Sequence, residues 1–178
     1  MRLIILGPPG SGKGTQAKLI SKKYHLRNIS IGNVLRKEVK KKTRFGLKIK
    51  PYIERGDLAP DSLVYKVVRP YLKGGSFILD GFPRHMSQVK LIKEKINAAI
   101  YIDCKKEEIV KRLLKRKKLE HRKDDDEITI EYRWLVYKKK TFPVIDYYKK
   151  KNILITINGN NPIREVFKDI TEKLNELF

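Results

Sequence analysis

The sequence predicts an α/β fold in which a five-stranded parallel sheet carries helices on both faces. Short apolar runs alternate with longer amphipathic stretches along the chain, which is the pattern of successive βα units. The runs are apolar at nearly every position, as expected for strands that are buried on both faces. A glycine-rich turn joins the first run to the first amphipathic stretch. The 178 residues suit a single domain.

The individual elements follow from these patterns. The predicted strands are residues 2–6, 27–30, 76–80, 98–103 and 152–157. Apolar residues recur at helical spacing in several of the intervening segments, and prolines mark a first helical turn at 162 and a kink or restart at 143. The predicted helices are residues 13–24, 32–42, 44–55, 61–72, 87–95, 105–118, 125–140, 143–151 and 162–177.

Residues 30–72 contain only helical patterns between two strands. This segment is interpreted as an insertion beside the sheet, of the kind that closes over a ligand; a plain helical crossover is the alternative. No linker or internal repeat divides the chain.

The charge balance is strongly basic, with 42 Lys and Arg against 20 Asp and Glu, a net charge of +22. Nucleic acid or small phosphate-bearing ligands would explain it, and so would lysines spread over solvated helix faces. Cys104 is the only cysteine, which excludes an internal disulfide and a zinc site of cysteine pairs. The apolar run at residues 3–6 is too short for a signal peptide, and no stretch reaches the about 20 apolar residues of a membrane helix. We therefore expect a cytoplasmic protein.

The strongest motif is GPPGSGKGT at residues 7–15, directly after the first strand and before the first helix. Glycines let the backbone turn its N–H groups toward an anion, and the helix N-terminus adds partial positive charge. In such a phosphate loop Lys13 reaches the β- and γ-phosphates. The alternative is a glycine-rich turn that only packs strand against helix.

Gly14 departs from the common loop pattern, in which a Ser or Thr at this position gives its hydroxyl to Mg²⁺. Thr15 follows one position later. The metal is therefore expected to be held by other groups, through water.

The loop closely resembles that of adenylate kinases and their UMP/CMP kinase relatives, in which Gly14 is usual. Further segments resemble family motifs in the same order: SIGNVLR at 30–36, DGFPR at 80–84, and RKDD at 122–125 with the later Arg133. The resemblance implies a P-loop NTPase-type domain over residues 1–178. It also implies a helical AMP-binding insertion at 30–72 and a short lid loop at 117–123.

The resemblance assigns roles to particular residues. The ATP-binding set would be Gly10, Ser11, Gly12, Lys13, Gly14, Thr15, Arg112, Arg116 and Asn161, with Arg112 stacked on the base. The AMP-binding set would be Ile31, Arg36, Asp57, Leu58, Ala59, Gly81, Phe82, Pro83, Arg84, Gln88, Arg122 and Arg133. The catalytic set, around the transferred phosphoryl group, would be Lys13, Arg84, Arg116, Arg122 and Arg133.

The chemistry agrees with that assignment. In phosphoryl transfer the protein mainly positions the substrates and supplies positive charge, and it has little covalent chemistry of its own to perform. Arginine suits this because its planar fork binds phosphate bidentately and stays charged. Taken alone, any one of these arginines is better explained as a solvated surface residue, whereas the whole set at motif positions favours the functional interpretation.

Mg²⁺ is the expected cofactor. Asp80 resembles the carboxylate that orders waters around the metal, although a strand-end Asp also caps turns. Residues 124–126 are all Asp; they could serve the metal or an arginine, or favour a helix N-terminus. No zinc site is expected, because the lid is short and His25, His85 and His121 form no ligand spacing.

Base choice depends on three positions. Gln88 resembles the adenine-reading residue of the family, since a side-chain amide pairs with adenine's donor–acceptor edge. A helix-surface glutamine is the alternative. Ile31 and Asn33 stand where adenylate kinases usually have Thr and Asp, and the lost hydroxyl could loosen base selection.

The expected function is reversible, Mg²⁺-dependent phosphoryl transfer from ATP to AMP, giving two ADP. The alternatives are a broad-specificity or UMP/CMP-type monophosphate kinase, a basic nucleic-acid-binding protein switched by ATP, and a regulator without turnover. The expected partners are ATP, AMP and ADP, with no specific nucleic acid and no membrane. A monomer is expected, with a small homo-oligomer as the alternative.

Overall fold

The computed structural model describes residues 1–120 and 123–178. Within them, one parallel sheet has the strand order β2-β3-β1-β4-β5. Because all strands run the same way, their carboxyl ends meet at one edge, where open α/β sheets bind ligands. The strands are β1 Arg2–Leu6, β2 Arg27–Ser30, β3 Phe77–Asp80, β4 Ala98–Asp103 and β5 Leu154–Asn158.

Helices fill the connections. They are α1 Lys13–Lys23, α2 Ile31–Lys40, α3 Arg44–Glu54, α4 Asp61–Leu72, α5 Met86–Val89, α6 Lys106–Glu120, α7 Glu127–Val136, α8 Phe142–Lys150 and α9 Ile163–Leu177. A 3₁₀ turn at Lys123–Asp125 precedes α7, and a π-helical segment at Tyr137–Thr141 joins α7 to α8. None of the helices in the described ranges is long and apolar enough to cross a membrane.

The three central strands β1, β3 and β4 are buried on both faces, as their continuous apolar character predicts, whereas the edge strands β2 and β5 have exposed positions, so the same prediction was wrong for them. In β1, Ile4 and Leu6 face a core shared with α8 and with the helices α2, α3 and α4. Leu3 and Ile5 face the opposite core, which α1 and α9 complete. The predicted layering is therefore confirmed, with helices on both faces of the sheet.

Two predicted helices differ from the structure. The helix predicted at 87–95 is a single turn, Met86–Val89, whose continuation makes i→i−3 bonds from Leu91 and Ile92 instead of extending the α-helix. The helix predicted at 125–140 is interrupted by the π-helical segment. Pro143 explains the interruption, since proline has no N–H to donate to the preceding turn.

The segment predicted as an insertion contains α2, α3 and α4, all between β2 and β3. Helices α2 and α3 cross at Gly46, where a Cβ atom would stand 2.1 Å from the Glu38 carbonyl oxygen. Thr43 caps α3 by accepting a hydrogen bond from the Gly46 N–H at 2.9 Å. Glycine is thus required at the crossing because no side chain fits between the two backbones.

Candidate active site

The phosphate loop occupies the carboxyl end of β1 and leads into α1. Gly10 and Gly12 have φ angles of 82° and 89°, a left-handed conformation that glycine adopts without strain. A Cβ on Gly10 would stand 2.8 Å from Leu113 Cγ, so α6 packs directly against the loop. The N–H groups of Thr15 and Gln16 bond back to the Gly12 carbonyl oxygen, both at 3.0 Å, as the first turn of α1 forms.

Lys13 is folded over this loop. Its Nζ donates to the Pro8 carbonyl oxygen at 2.6 Å and approaches Ser11 Oγ at 3.4 Å. The pKa of Lys13 is lowered to about 7, mainly by burial; Asp80 opposes the shift, while the charges of Arg84, Arg133 and Arg116 contribute to it. The amino group of Lys13 therefore lies close to several positively charged guanidinium groups. Such a concentration of positive charge favours the binding of a polyanion.

Asp80 ends β3, which neighbours β1. Its Oδ2 accepts a hydrogen bond from Ser30 Oγ at 3.0 Å, and a Cβ on Gly14 would be 3.5 Å from the same oxygen. The described residues contain no cluster of three His, Cys, Asp or Glu side chains able to hold a metal. One carboxylate beside a phosphate loop nevertheless fits Mg²⁺, which typically takes one or two carboxylates, substrate phosphates and several waters.

A cavity of about 870 Å³ opens over these residues. It brings together residues from seven separate segments of the chain. The predicted site residues that line it are Gly10, Ser11, Gly12, Lys13, Gly14, Thr15, Arg36, Leu58, Asp80, Gly81, Pro83, Arg84, Arg112, Arg116, Arg133 and Asn161.

Two of the arginines share a buried carboxylate. Arg116 binds Asp125 through Nε at 2.6 Å and Nη2 at 2.7 Å, and Arg133 Nη1 donates to the same residue at 2.8 Å. Arg133 also pairs with Asp124 at 3.2 Å. Asp126 caps α7 instead, accepting from the Thr129 N–H at 3.0 Å. Of the three consecutive Asp residues, Asp124 and Asp125 therefore bind arginine and Asp126 lies at a helix N-terminus, as two of the three interpretations predicted.

Arg112 and Asn161 lie at the other end of the cavity. Arg112 donates to Glu108 Oε1 at 2.8 Å and to the Gly159 carbonyl oxygen at 2.9 Å, so its guanidinium is fixed against the β5–α9 loop. Asn161 lies in that loop and accepts from Asn158 Nδ2 at 3.4 Å. This end of the cavity has the planar cation and backbone groups that could hold a base.

A smaller cavity of about 70 Å³ adjoins the first and shares Arg36, Arg84 and Arg133 with it. Asn33 Oδ1 accepts a hydrogen bond from Arg36 Nη2 at 2.6 Å. Asn33, one of the two residues that differ from the family pattern, therefore helps to orient an arginine of the predicted site. The smaller cavity's other predicted residues are Ile31, Asp57, Leu58, Ala59, Gly81 and Gln88.

One predicted site residue falls elsewhere, and another lies outside the described residues. Phe82 is fully buried in the core and lines neither cavity. Arg122 lies outside the described residues, as does His121, and both belong to the predicted lid loop 117–123. Residues 117–120 of that loop form the last turn of α6.

Sequence reasoning missed several polar residues around the site. Asp61 binds His85, Ser87 and Gln88, and Tyr132 donates to Asp57 Oδ1 at 2.5 Å. Tyr137 and Tyr101 form a buried hydroxyl pair at 3.2 Å that continues to Asp103. Except for the bond from Tyr101 to Asp103, these contacts join residues distant in sequence, and no local pattern marks them.

The sheet topology, the phosphate loop and the converging arginines define the class of phosphate-loop nucleotide-binding proteins. The sequence model of adenylate kinases matches residues 5–153. The chain is 42% identical to an adenylate kinase of Leptospira biflexa serovar Patoc, over 97% of this chain and 99% of that protein. It is 39% identical to one from Archaeoglobus fulgidus, over 99% of each chain.

The chain is also 38% identical to an adenylate kinase of Clostridium tetani over 99% of its own length and all of that protein. That alignment spans 216 positions, so this relative contains segments that the 178-residue chain lacks. The matches cover nearly the whole sequence at substantial identity. The chain therefore belongs to the adenylate kinase family.

Proposed function

We propose that this protein catalyses reversible, Mg²⁺-dependent phosphoryl transfer from ATP to AMP, giving two ADP. The observation that carries the proposal is the pair of adjoining cavities that share Arg36, Arg84 and Arg133. One cavity contains the phosphate loop and suits a triphosphate, while the other suits a monophosphate. The shared arginines lie where the two phosphate chains would meet.

On this proposal the phosphate loop and Lys13 bind the β- and γ-phosphates of ATP. Lys13 is already surrounded by the charges of Arg84, Arg116 and Arg133. Together these cations would stabilise negative charge on the equatorial oxygens of the transferring group. Arg36 and Arg84 would hold the phosphate of AMP, in line for attack on the γ-phosphorus.

Base binding is proposed at the two outer ends. Arg112 and the backbone around Asn161 would contact the adenine of ATP, where Arg112 is fixed by Gly159 and Glu108. Residues 57–59, Ile31 and Gln88 would surround the adenine of AMP. Phe82 would contribute through its backbone, because its side chain is enclosed in the core.

Mg²⁺ supplies charge neutralisation between the β- and γ-phosphates when it is bound. Asp80 is the residue proposed to hold it, through water, and Ser30 orients that carboxylate at 3.0 Å. Thr15 lies in the first turn of α1 and offers a hydroxyl one position after the usual metal ligand. The proposed lid at 117–123, with Arg122, would cover the transferring group.

The test is a coupled assay of ADP formation with ATP, Mg²⁺ and each of AMP, CMP, UMP and GMP in turn. A rate with AMP far above the others is expected. Comparable rates with all four would make the protein a broad monophosphate kinase, with Ile31 as the first residue to examine because its buried side chain offers no polar contact. Absence of ADP with every acceptor would refute the proposal.

We also propose a cytoplasmic monomer whose partners are nucleotides alone. The net charge of +22 would then produce only salt-sensitive, sequence-independent binding to nucleic acid. Filter binding at rising salt tests this, because specific binding would persist at moderate ionic strength. Light scattering coupled to gel filtration gives the oligomeric state directly.

A further inference from the structure

The side-chain amide of Gln88 is held in one orientation by two partners of opposite character. Its Oε1 accepts from the backbone N–H of Arg84 at 2.8 Å, and its Nε2 donates to Asp61 Oδ1 at 2.8 Å. A backbone N–H can only donate, and an ionised carboxylate can only accept. The two ends of the amide therefore cannot be exchanged without losing both hydrogen bonds.

Asp61 is itself firmly placed. Ser87 Oγ donates to its Oδ2 at 2.6 Å, and His85 Nε2 lies 2.8 Å from its Oδ1. The carboxylate thus meets one side chain of the β3–α5 connection, His85, and two of α5, Ser87 and Gln88, although it belongs to α4. Gln88 is only 2% exposed, so its own two hydrogen bonds are largely shielded from competing water.

An amide keeps one further hydrogen on nitrogen and one further lone pair on oxygen after these two bonds. Adenine offers a donor at its 6-amino group and an acceptor at N1, which pair with the amide oxygen and nitrogen respectively. Hypoxanthine is nearly the same size but carries a 6-oxo acceptor and an N1–H donor. To form both hydrogen bonds with hypoxanthine, the Gln88 amide would have to rotate by half a turn, so that its oxygen and nitrogen exchange places.

We propose that Asp61 is a positioning residue that makes the acceptor site select 6-amino over 6-oxo purine monophosphates by fixing the orientation of Gln88. The inference rests on the proposed function, because it takes the smaller cavity to be the acceptor site. In the turned-over amide, Oε1 would face the Asp61 carboxylate and Nε2 would face the Arg84 N–H. Both contacts would be repulsive, which disfavours the 6-oxo base.

The test compares kcat/KM for AMP and for inosine monophosphate in the unaltered protein and in Asp61→Asn. Asparagine can offer either its oxygen or its nitrogen to Gln88, so it removes the contribution of Asp61 to the orientation of the amide without removing the volume, and the Arg84 N–H remains as the other bias. We expect the AMP-to-IMP ratio to fall about tenfold, the order expected for one hydrogen bond to a charged group. The change should appear mainly as a lower KM for IMP. The matched control is Glu54→Gln, which neutralises a surface carboxylate of the same insertion that pairs with Lys50 at 3.9 Å.

A purely structural role for Asp61 would lower both kcat/KM values together and leave their ratio unchanged, which would overturn the proposal. Thermal melting establishes whether Asp61→Asn is folded; Asp61→Ser, whose hydroxyl both donates and accepts, replaces it if not. Failure of the unaltered protein to prefer AMP over IMP would also overturn the proposal while leaving the kinase activity intact. Failure to phosphorylate AMP at all would instead refute the proposed function.

Discussion

Asp125 lies fully buried beneath Arg116, and both of its carboxylate oxygens bind that guanidinium, at 2.6 and 2.7 Å. Arg133 approaches the same carboxylate from α7. The Asp125 carboxylate thus holds the guanidinium groups of both Arg116 and Arg133, two cations that line the cavity. The two guanidinium groups are therefore oriented before a phosphate binds, and binding requires little further loss of side-chain freedom.

Removal of this carboxylate should destabilise the fold. We expect Asp125→Ala to lower the free energy of unfolding by about 3 kcal/mol, because it leaves two partly buried guanidinium groups facing each other. Urea denaturation of the ligand-free protein measures the change. Asp126→Ala is the matched control: it removes only the cap of α7 and should cost about 1 kcal/mol. Equal losses in the two variants would contradict the anchoring role of Asp125.

Lys13 should take up a proton when ATP binds. Its pKa is about 7 in the ligand-free protein, and phosphate oxygens beside it would raise that pKa. Calorimetric titration with ATP at pH 8, in buffers of different ionisation enthalpy, should therefore show proton uptake approaching one. Lys13→Met should lose this uptake. The same uptake in both proteins would show that another group is responsible.

The lowered pKa of Lys13 also gives a pH dependence of stability. Between pH 7 and the ordinary value of 10.5, the unfolded chain holds a proton that the folded chain lacks. The free energy of unfolding should therefore rise with pH across this window. Denaturant titrations at intervals of pH should show a flatter profile for Lys13→Met over the same range. Identical slopes would argue against a buried, shifted lysine.

Loss of single cations should be felt mainly in turnover. We expect Lys13→Ala and Arg84→Ala each to lower kcat by at least about 10²–10³-fold, because on the proposed function each removes positive charge that would face the transferring group. Steady-state assays with saturating ATP and AMP measure this. Arg69→Ala, on the exposed surface of α4, is the control and should retain normal rates. Near-normal kcat in either test variant would remove that residue from the proposed site.

Gly46 should be intolerant of any side chain. A Cβ there would stand 2.1 Å from a backbone oxygen of α2, so we expect Gly46→Ala to lower the free energy of unfolding by about 1–3 kcal/mol. The KM for AMP should rise more than that for ATP, because the displaced helices border the smaller cavity. Gly14→Ala offers a comparison for stability alone, since its Cβ would make an ordinary contact at 3.5 Å with Asp80. Greater destabilisation by Gly14→Ala would contradict the tight crossing.

Local patterns were sufficient for most of the fold. The strands β1, β2 and β4 have the predicted bounds, and β3 and β5 differ by one or two residues. The sequence also predicted the phosphate loop, because strand, glycine turn and helix N-terminus are adjacent in the chain. The helix predicted at 87–95 was wrong in length, because the chain leaves the α-helix at Val89.

Tertiary contacts decided what sequence could not. The Thr141 hydroxyl binds the carbonyl oxygen of Arg84, 57 positions away, and the π-helical segment that contains Thr141 is not apparent from any periodicity. Asp61 and Gln88 are 27 positions apart, and neither residue type indicates the other. The Asp run could have served a metal, an arginine or a helix end until packing placed Asp125 in the interior.

The sequence by itself determined the fold class, the phosphate loop and the supply of arginines, because these depend on hydrophobic period and on neighbours along the chain. Only the tertiary structure decided which carboxylates fix those arginines and which way the Gln88 amide points. Such choices depend on the direction of hydrogen bonds between distant segments, and on burial that removes water as an alternative partner.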